Sequence, residues 1–206
     1  GGDVLTRARS DAERLASGSA VAALVGESLA RAQSYADEQA RAAVLHSALH
    51  PASPIPTAGI QFCVCYEPAD TVRGLGGDWY DVLPLPKNRT YFAVGDIVGH
   101  GLQAVEDMAQ LRSAARTLAY QGESPARVLA GLNDFTDDVI RSEFATVVMA
   151  VFDHAAGLLT YSSAGHPPAF LRKAQTGRVH RLDDANGPLL GPLRTAAYED
   201  GVISVD

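Results

Sequence analysis

Three prolines in six residues, Pro51, Pro54 and Pro56, divide this chain into two parts that obey different rules. Proline fixes φ, lacks an amide donor and pushes its predecessor out of the helical region, so no helix crosses this stretch. On the N-terminal side, residues 3–49 contain no proline and are dominated by Ala, Glu, Arg, Leu and Gln. Val21, Leu24, Leu29, Ala32, Tyr35, Ala36, Ala43 and Leu49 recur at three- and four-residue steps, which predicts one long helix from Ser19 to Leu49. Its apolar stripe is thin and rich in alanine, so such a helix needs a partner surface. Two arrangements satisfy that need: a peripheral helix packed on the core, or a signalling linker that forms a homodimer. The expected organisation is a helical linker over 1–50 and a second domain over 51–206.

Past the prolines the apolar period shortens from helical to alternating. Ile60–Tyr66, Trp79–Leu85 and Thr90–Val94 read as strands, the last two joined by the turn Pro86-Lys87-Asn88-Arg89. Gln103–Tyr120 reads as a helix with Met108, Leu111, Ala115 and Leu118 on one face. Ser124 as N-cap and Pro125 in the first turn open a second helix running to Ile140. Phe144–Phe152, Leu158–Ser163, Ala169–Arg172 and Arg178–Leu182 supply further strands. Strands, then two helices, then strands again predict an α+β fold with helices over a mostly antiparallel sheet system.

Charge and hydropathy exclude several classes. The net charge is −7, whereas phosphate contacts demand a basic face, so a nucleic-acid partner is not expected. The longest apolar run, Val147–Phe152, falls far short of the roughly 20 residues that cross a bilayer. No charged start with an apolar stretch opens the chain, so the expectation is a cytoplasmic protein without a membrane partner. Cys63 and Cys65 are expected to be reduced, small apolar residues on a buried strand face, with no second pair or nearby His to suggest zinc.

Two segments could carry chemistry. In Gly76-Gly77-Asp78-Trp79-Tyr80-Asp81 the paired glycines permit a sharp turn that presents a carboxylate. Asp78 and Asp81 fall on opposite faces of a strand and are not expected to share an ion. In Gly95-Asp96-Ile97-Val98-Gly99-His100-Gly101 an aspartate ends an apolar strand before a glycine-framed loop. Carboxylates at strand ends beside backbone carbonyls suit hard divalent cations, although an isolated aspartate serves equally as a turn or cap residue. Gly74-Leu75-Gly76-Gly77 is not a phosphate loop, because no Gly-Lys-Ser/Thr follows.

These segments, followed by Phe-Ala-Thr at 144–146 and Ala-Gly-His-Pro-Pro at 164–168, occur in an order that resembles one family. The chain, from about residue 43 onward, resembles the PPM-type (protein phosphatase 2C-like) metal-dependent serine/threonine phosphatases, in their bacterial SpoIIE/RsbU branch. The resemblance implies an αββα sandwich with a two-metal Mn²⁺ or Mg²⁺ centre. By the same resemblance Asp78 and Asp96 are metal ligands, Asp96 bridging, and Ile97 adds its backbone carbonyl. A water held by the metals would attack phosphorus in line without a protein nucleophile. The implied substrate is a phosphorylated STAS-domain anti-sigma-factor antagonist in partner-switching control of transcription. His100 and His166 are expected either to hold loops or to act on the substrate side, and Trp79 and Tyr80 to pack. The family's later Thr-Asp-Gly and Asp-Asn carboxylates do not occur in these 206 residues. A centre on Asp78 and Asp96 alone is expected to hold metal weakly, which leaves a shortened phosphatase and a catalytically silent PPM-fold module as alternatives.

Overall fold

The computed structural model describes residues 21–38, 40–41, 59–65, 77–140 and 143–205. The chain forms two compact units, residues 1–41 and 42–206. In the first, helix α1 (21–38) is exposed along its whole described length, with Val21, Leu24, Val25, Leu29 and Tyr35 all facing solvent. Residues 42–49 of the predicted helix lie outside the described residues, as do residues 66–76.

The second unit is an α+β fold built on one six-stranded sheet. Its strands are β1 (Trp79–Leu85), β2 (Arg89–Ile97), β3 (Ala145–Asp153), β4 (Leu158–Ala164), β7 (Asn186–Gly187) and β8 (Gly201–Ser204). The order is β1-β2-β3-β4-β7, antiparallel from β1 to β4, and β8 pairs with the first half of β4. Strands β5 (Ala169–Arg172) and β6 (Val179–Leu182) form a separate antiparallel hairpin. Helices α2 (Leu102–Gln121) and α3 (Pro125–Val139) cover one face of the large sheet. The hairpin covers part of the other face, where Leu171 and Leu182 pack with Tyr161, Leu159 and Ile203.

Strand alternation explains this layering. Trp79, Tyr91, Ala93, Ile97, Val147, Met149 and Val151 point toward the helices and meet Met108, Leu111, Leu129 and Leu132. The indole of Trp79 fills the space over Gly95, where even a Cβ would lie 2.3 Å from the ring. The turn after β1 puts Lys87 and Asn88 at positive φ, which asparagine tolerates better than most residues. Gly122 ends α2 in the left-handed region, with its own amide and that of Glu123 closing onto Ala119 and Leu118.

Two expectations need correction. Residues 60–65 form no strand; Phe62 lies 6.0 Å from Phe92 in ring separation and makes the contact with the sheet. Cys63 and Cys65 lie outside any disulfide and are exposed rather than buried core. Ser124 does occupy the N-cap of α3, but its hydroxyl makes no capping bond. The Ala126 amide donates instead to the carboxylate of Asp200, 2.8 Å away and 74 residues on in sequence. A carboxylate is a stronger acceptor than a hydroxyl and its charge complements the helix N-terminus.

One buried ion cluster fixes β1 to α2. Asp81, 1% exposed, accepts two bonds from Arg116 at 2.5 and 2.6 Å, and the buried Arg112 lies 3.5 Å from it. The Tyr91 phenol beside this cluster has its pKa raised far above the usual range, chiefly by burial and then by the Asp81 charge. Removing one partner of such a pair strands the others without compensation. Asp81→Ala should therefore cost about 3–5 kcal/mol in urea unfolding, against roughly 0–1 kcal/mol for breaking the exposed Arg127–Glu123 pair.

Candidate metal centre

The β1–β2 register decides which side chains meet. Trp79 pairs with Gly95, so the residue preceding the first faces the residue following the second, and Asp78 comes opposite Asp96. Both lie on the sheet face turned away from the helices and both are exposed. On the next strand Asp96 pairs with Thr146, whose hydroxyl is 2.8 Å from Nδ1 of His166. Three of the four sequence motifs therefore meet the fourth across one edge of the sheet.

Like charges held this close resist ionisation. The Asp96 carboxyl is pushed up to about 6 by partial desolvation, by the charge of Asp78 and by a hydrogen bond between the two carboxyls. Burial lowers His166 below the ordinary imidazole value, and the Asp78 charge opposes part of that shift. Asp78 thus acts on both Asp96 and His166.

Backbone geometry completes the arrangement. The Ile97 amide donates to the Gly77 carbonyl at 3.3 Å, extending the hairpin ladder beyond β1. A Cβ at position 77 would lie 2.5 Å from the Ile97 carbonyl oxygen, so any side chain there would cover it. Gly99 and Gly101, at φ 119° and 80°, carry the chain from β2 into α2 around the exposed His100. Among the described residues His100 makes no side-chain hydrogen bond, so the expected loop-holding role falls to the glycines.

The donors at this end of the sheet are hard oxygens, which suits Mg²⁺ or Mn²⁺ better than a thiophilic metal. Two opposed carboxylates sharing a proton also gain from a divalent cation that would replace it. No third His, Cys, Asp or Glu converges on a common ion position among the described residues. A cleft of roughly 560 Å³ runs from Asp78 and His166 along the outer face of β1 and β2, past Tyr80 and Phe92 to Phe62 and Cys63. Trp79 is core, as expected, whereas Tyr80 is half-buried in this cleft.

Thr146 was not distinguished from its motif by the sequence alone. Its role follows from the β2–β3 pairing, for which no local signal exists. Asp81 was correctly separated from Asp78 by strand alternation, but its partners Arg112 and Arg116 lie on a helix face that reads as ordinary amphipathic surface.

A helix-covered antiparallel sheet with paired carboxylates at neighbouring strand ends is an architecture of the PP2C type. The PP2C phosphatase domain of SpoIIE from Bacillus subtilis matches it with TM-score 0.54 and 16% identity, over 65% of this chain and 39% of that one. The structure of the RsbU and RsbW domains of Rv1364c from Mycobacterium tuberculosis matches with TM-score 0.59 and 30% identity, over 68% of this chain and 38% of that one. In sequence, the phosphoserine phosphatase RsbU of Bacillus subtilis is 30% identical over 128 residues, 62% of this chain and 38% of that protein. The sequence model of Stage II sporulation protein E (SpoIIE) matches residues 86–206, more than half of the chain. The chain belongs to the SpoIIE family. It spans a little over a third of the length of the curated relatives it matches.

The carboxylate pair has a measurable consequence without any metal. A carboxyl whose folded pKa is raised contributes stability below its unfolded value, near 4, and loses it as pH rises through about 6. At pH 7.5 the ionised pair therefore opposes folding, though solvent screening at this exposed position limits the effect to about 1 kcal/mol. Asp96→Asn should raise the metal-free melting temperature at that pH by roughly 2–4 °C and flatten the pH dependence between about 4 and 6. Thermal denaturation of both proteins in chelator across this range checks it; equal profiles would mean the carboxyls do not interact.

Proposed function

We propose that this chain is a metal-dependent protein phosphatase module that hydrolyses phosphoserine or phosphothreonine on a regulatory protein. The observation that carries the reading is the cross-strand pair Asp78–Asp96, with Ile97 next to Asp96 at the end of β2. Asp78, Asp96 and the Ile97 carbonyl would hold Mn²⁺ or Mg²⁺ in a two-metal centre. Bound there, divalent ions supply Lewis acidity toward phosphoryl oxygens and a water activated near neutral pH.

The chain's own residues then act by placement. The hairpin register sets the spacing of the two carboxylates, and the Asp81 cluster holds β1 against α2 from the opposite face. Thr146 fixes His166 at the rim of the cleft, on the side a phosphorylated loop would enter. Membership of the SpoIIE family and similarity to a named phosphoserine phosphatase support the reaction class. The finer reading is a phosphorylated STAS-domain anti-sigma-factor antagonist as substrate in a cytoplasmic partner-switching pathway, with the exposed apolar residues of α1 as the homodimer contact.

A second reading is a silent PPM-fold module that binds its partner without hydrolysis. It is favoured by the absence of a third converging ligand among the described residues. Release of p-nitrophenol from p-nitrophenyl phosphate against added Mn²⁺ separates the two. Saturable turnover that falls about 100-fold or more in Asp78→Asn and in Asp96→Asn is expected, as is a Mn²⁺-induced rise in melting temperature that both variants lose. Folded protein that gives neither response would support the silent module.

A further inference from the structure

The hairpin β5–β6 stands apart from the rest of the molecule in charge. Residues 169–182 contain Arg172, Lys173, Arg178 and Arg181 and no Asp or Glu, in a chain whose net charge is −7. The pairing places Phe170 opposite Arg181 and Arg172 opposite Val179. Leu171 and Leu182 point inward onto the large sheet, so these four side chains share the outward face. On it Phe170 is 66% exposed and Val179 56% exposed, two apolar groups set diagonally between two arginines.

Most acids of this chain lie elsewhere. Arg181 is paired with Asp183 at 2.9 Å, but Arg172 and Arg178 have no acidic partner among the described residues. An exposed aromatic flanked by two guanidinium groups, with Arg172 outside any ion pair among the described residues and Arg181 held only by the exposed Asp183, is the composition of a recognition surface rather than of a solvated edge. Its location matters too. β5 begins three residues after His166, across Pro167 and Pro168, so its first residue lies within about 10 Å of His166, and the strand runs from there toward the end of the sheet where Lys173 donates to the Ser204 hydroxyl. The hairpin is also seated on β4 and β8 by its inner leucines, so it presents a preformed face.

We infer that the outer face of this hairpin is the docking surface for an acidic segment of the phosphoprotein whose phosphorylated residue enters the Asp78–Asp96 end of the sheet. The inference rests on the phosphatase reading for the identity of the phosphorylated residue, but not for the charge of the partner. Arg172 and Arg181 would meet carboxylates several residues along the chain from the phosphorylated residue, and Phe170 would take an apolar side chain between them. In an otherwise acidic domain, this patch also steers an acidic partner toward the cleft and away from the rest of the surface.

The test is direct binding, read by fluorescence anisotropy with two labelled phosphoserine peptides. One has Asp and Glu flanks and the other has Asn and Gln flanks. The measurements use the Asp96→Asn protein so that hydrolysis does not intrude. The acidic peptide should bind more tightly, lose that preference at high salt, and weaken by about tenfold or more with Arg172→Glu and Arg181→Glu together. Phe170→Ser should weaken both peptides. An unchanged melting temperature in these exposed variants separates lost docking from lost folding. Equal affinity for the two peptides, no binding of either, or an acidic preference that survives the charge reversal would overturn the inference. So would charge-dependent sedimentation with equimolar phosphatidylcholine–phosphatidylserine vesicles in place of peptide preference, which would assign the face to membrane. If the wild-type protein never turns over the peptide yet binds it with this charge dependence, the docking surface stands and the phosphatase reading falls.

Discussion

The buried pair between Asp81 and Arg116, with Arg112 alongside, is the constraint on which the rest of the second unit depends. Strand β1 carries Asp78 just before its start and Asp81 within it, on opposite faces. Locking Asp81 into the helix layer therefore also fixes which way Asp78 points. A strand slipped by one residue would turn Asp81 to solvent and Asp78 toward the core, leaving Arg112 buried without a counter-charge. A buried ion pair is a poor source of net stability, but here it makes the wrong register expensive. Gly95 adds a second restriction, since only glycine leaves room for Trp79 above it.

From that register the chemistry of the other face follows. Two carboxylates come together because hairpin pairing leaves them no alternative, and partial desolvation, with the nearby Asp78 charge, raises the Asp96 pKa. The helix layer contributes nothing directly to this end of the sheet. It acts by holding strands, as Trp79, Tyr91 and Ile97 fill one side while Asp78, Asp96 and Thr146 line the other. Structural and chemical residues thus alternate along the same strands, and the division between them is the pleat of the sheet.

Much of this was legible in the sequence. The α+β order, both helices and the paired strands around them follow from period and punctuation, with boundaries displaced by one to three residues at most of the ends. Glycine framing, which is local, singled out Asp78 and Asp96, and the hairpin register brings these two together; Ile97 entered only through the family resemblance. What was illegible is long-range. Nothing near Arg116 announces Asp81, nothing near Thr146 announces His166, and nothing near Ser124 announces Asp200 as the group that satisfies the helix. Cys63 and Cys65 were misread because alternation fixes that two faces exist and not which one is covered. The larger Phe62 took the contact with the sheet.

The carboxylate of Asp200 at the N-terminus of α3 carries a consequence for the way the chain comes to its final form. The same helix is held by Asn133, which donates to the Leu193 carbonyl at 2.9 Å and accepts from the Gly191 amide at 3.0 Å, and by Asp137 against Arg194 at 2.7 Å. Every one of these partners is synthesised nearly sixty residues or more after the helix itself. During translation α3 leaves the ribosome with its first amides unsatisfied and its polar flank uncovered. It must wait several seconds, at ordinary elongation rates of about 5–20 residues per second, for the segment that completes it. Contacts of such span also place folding toward the slow end for a domain of this size. These partners therefore arrive well after α3 has been made, and α3 completes its contacts only when they do.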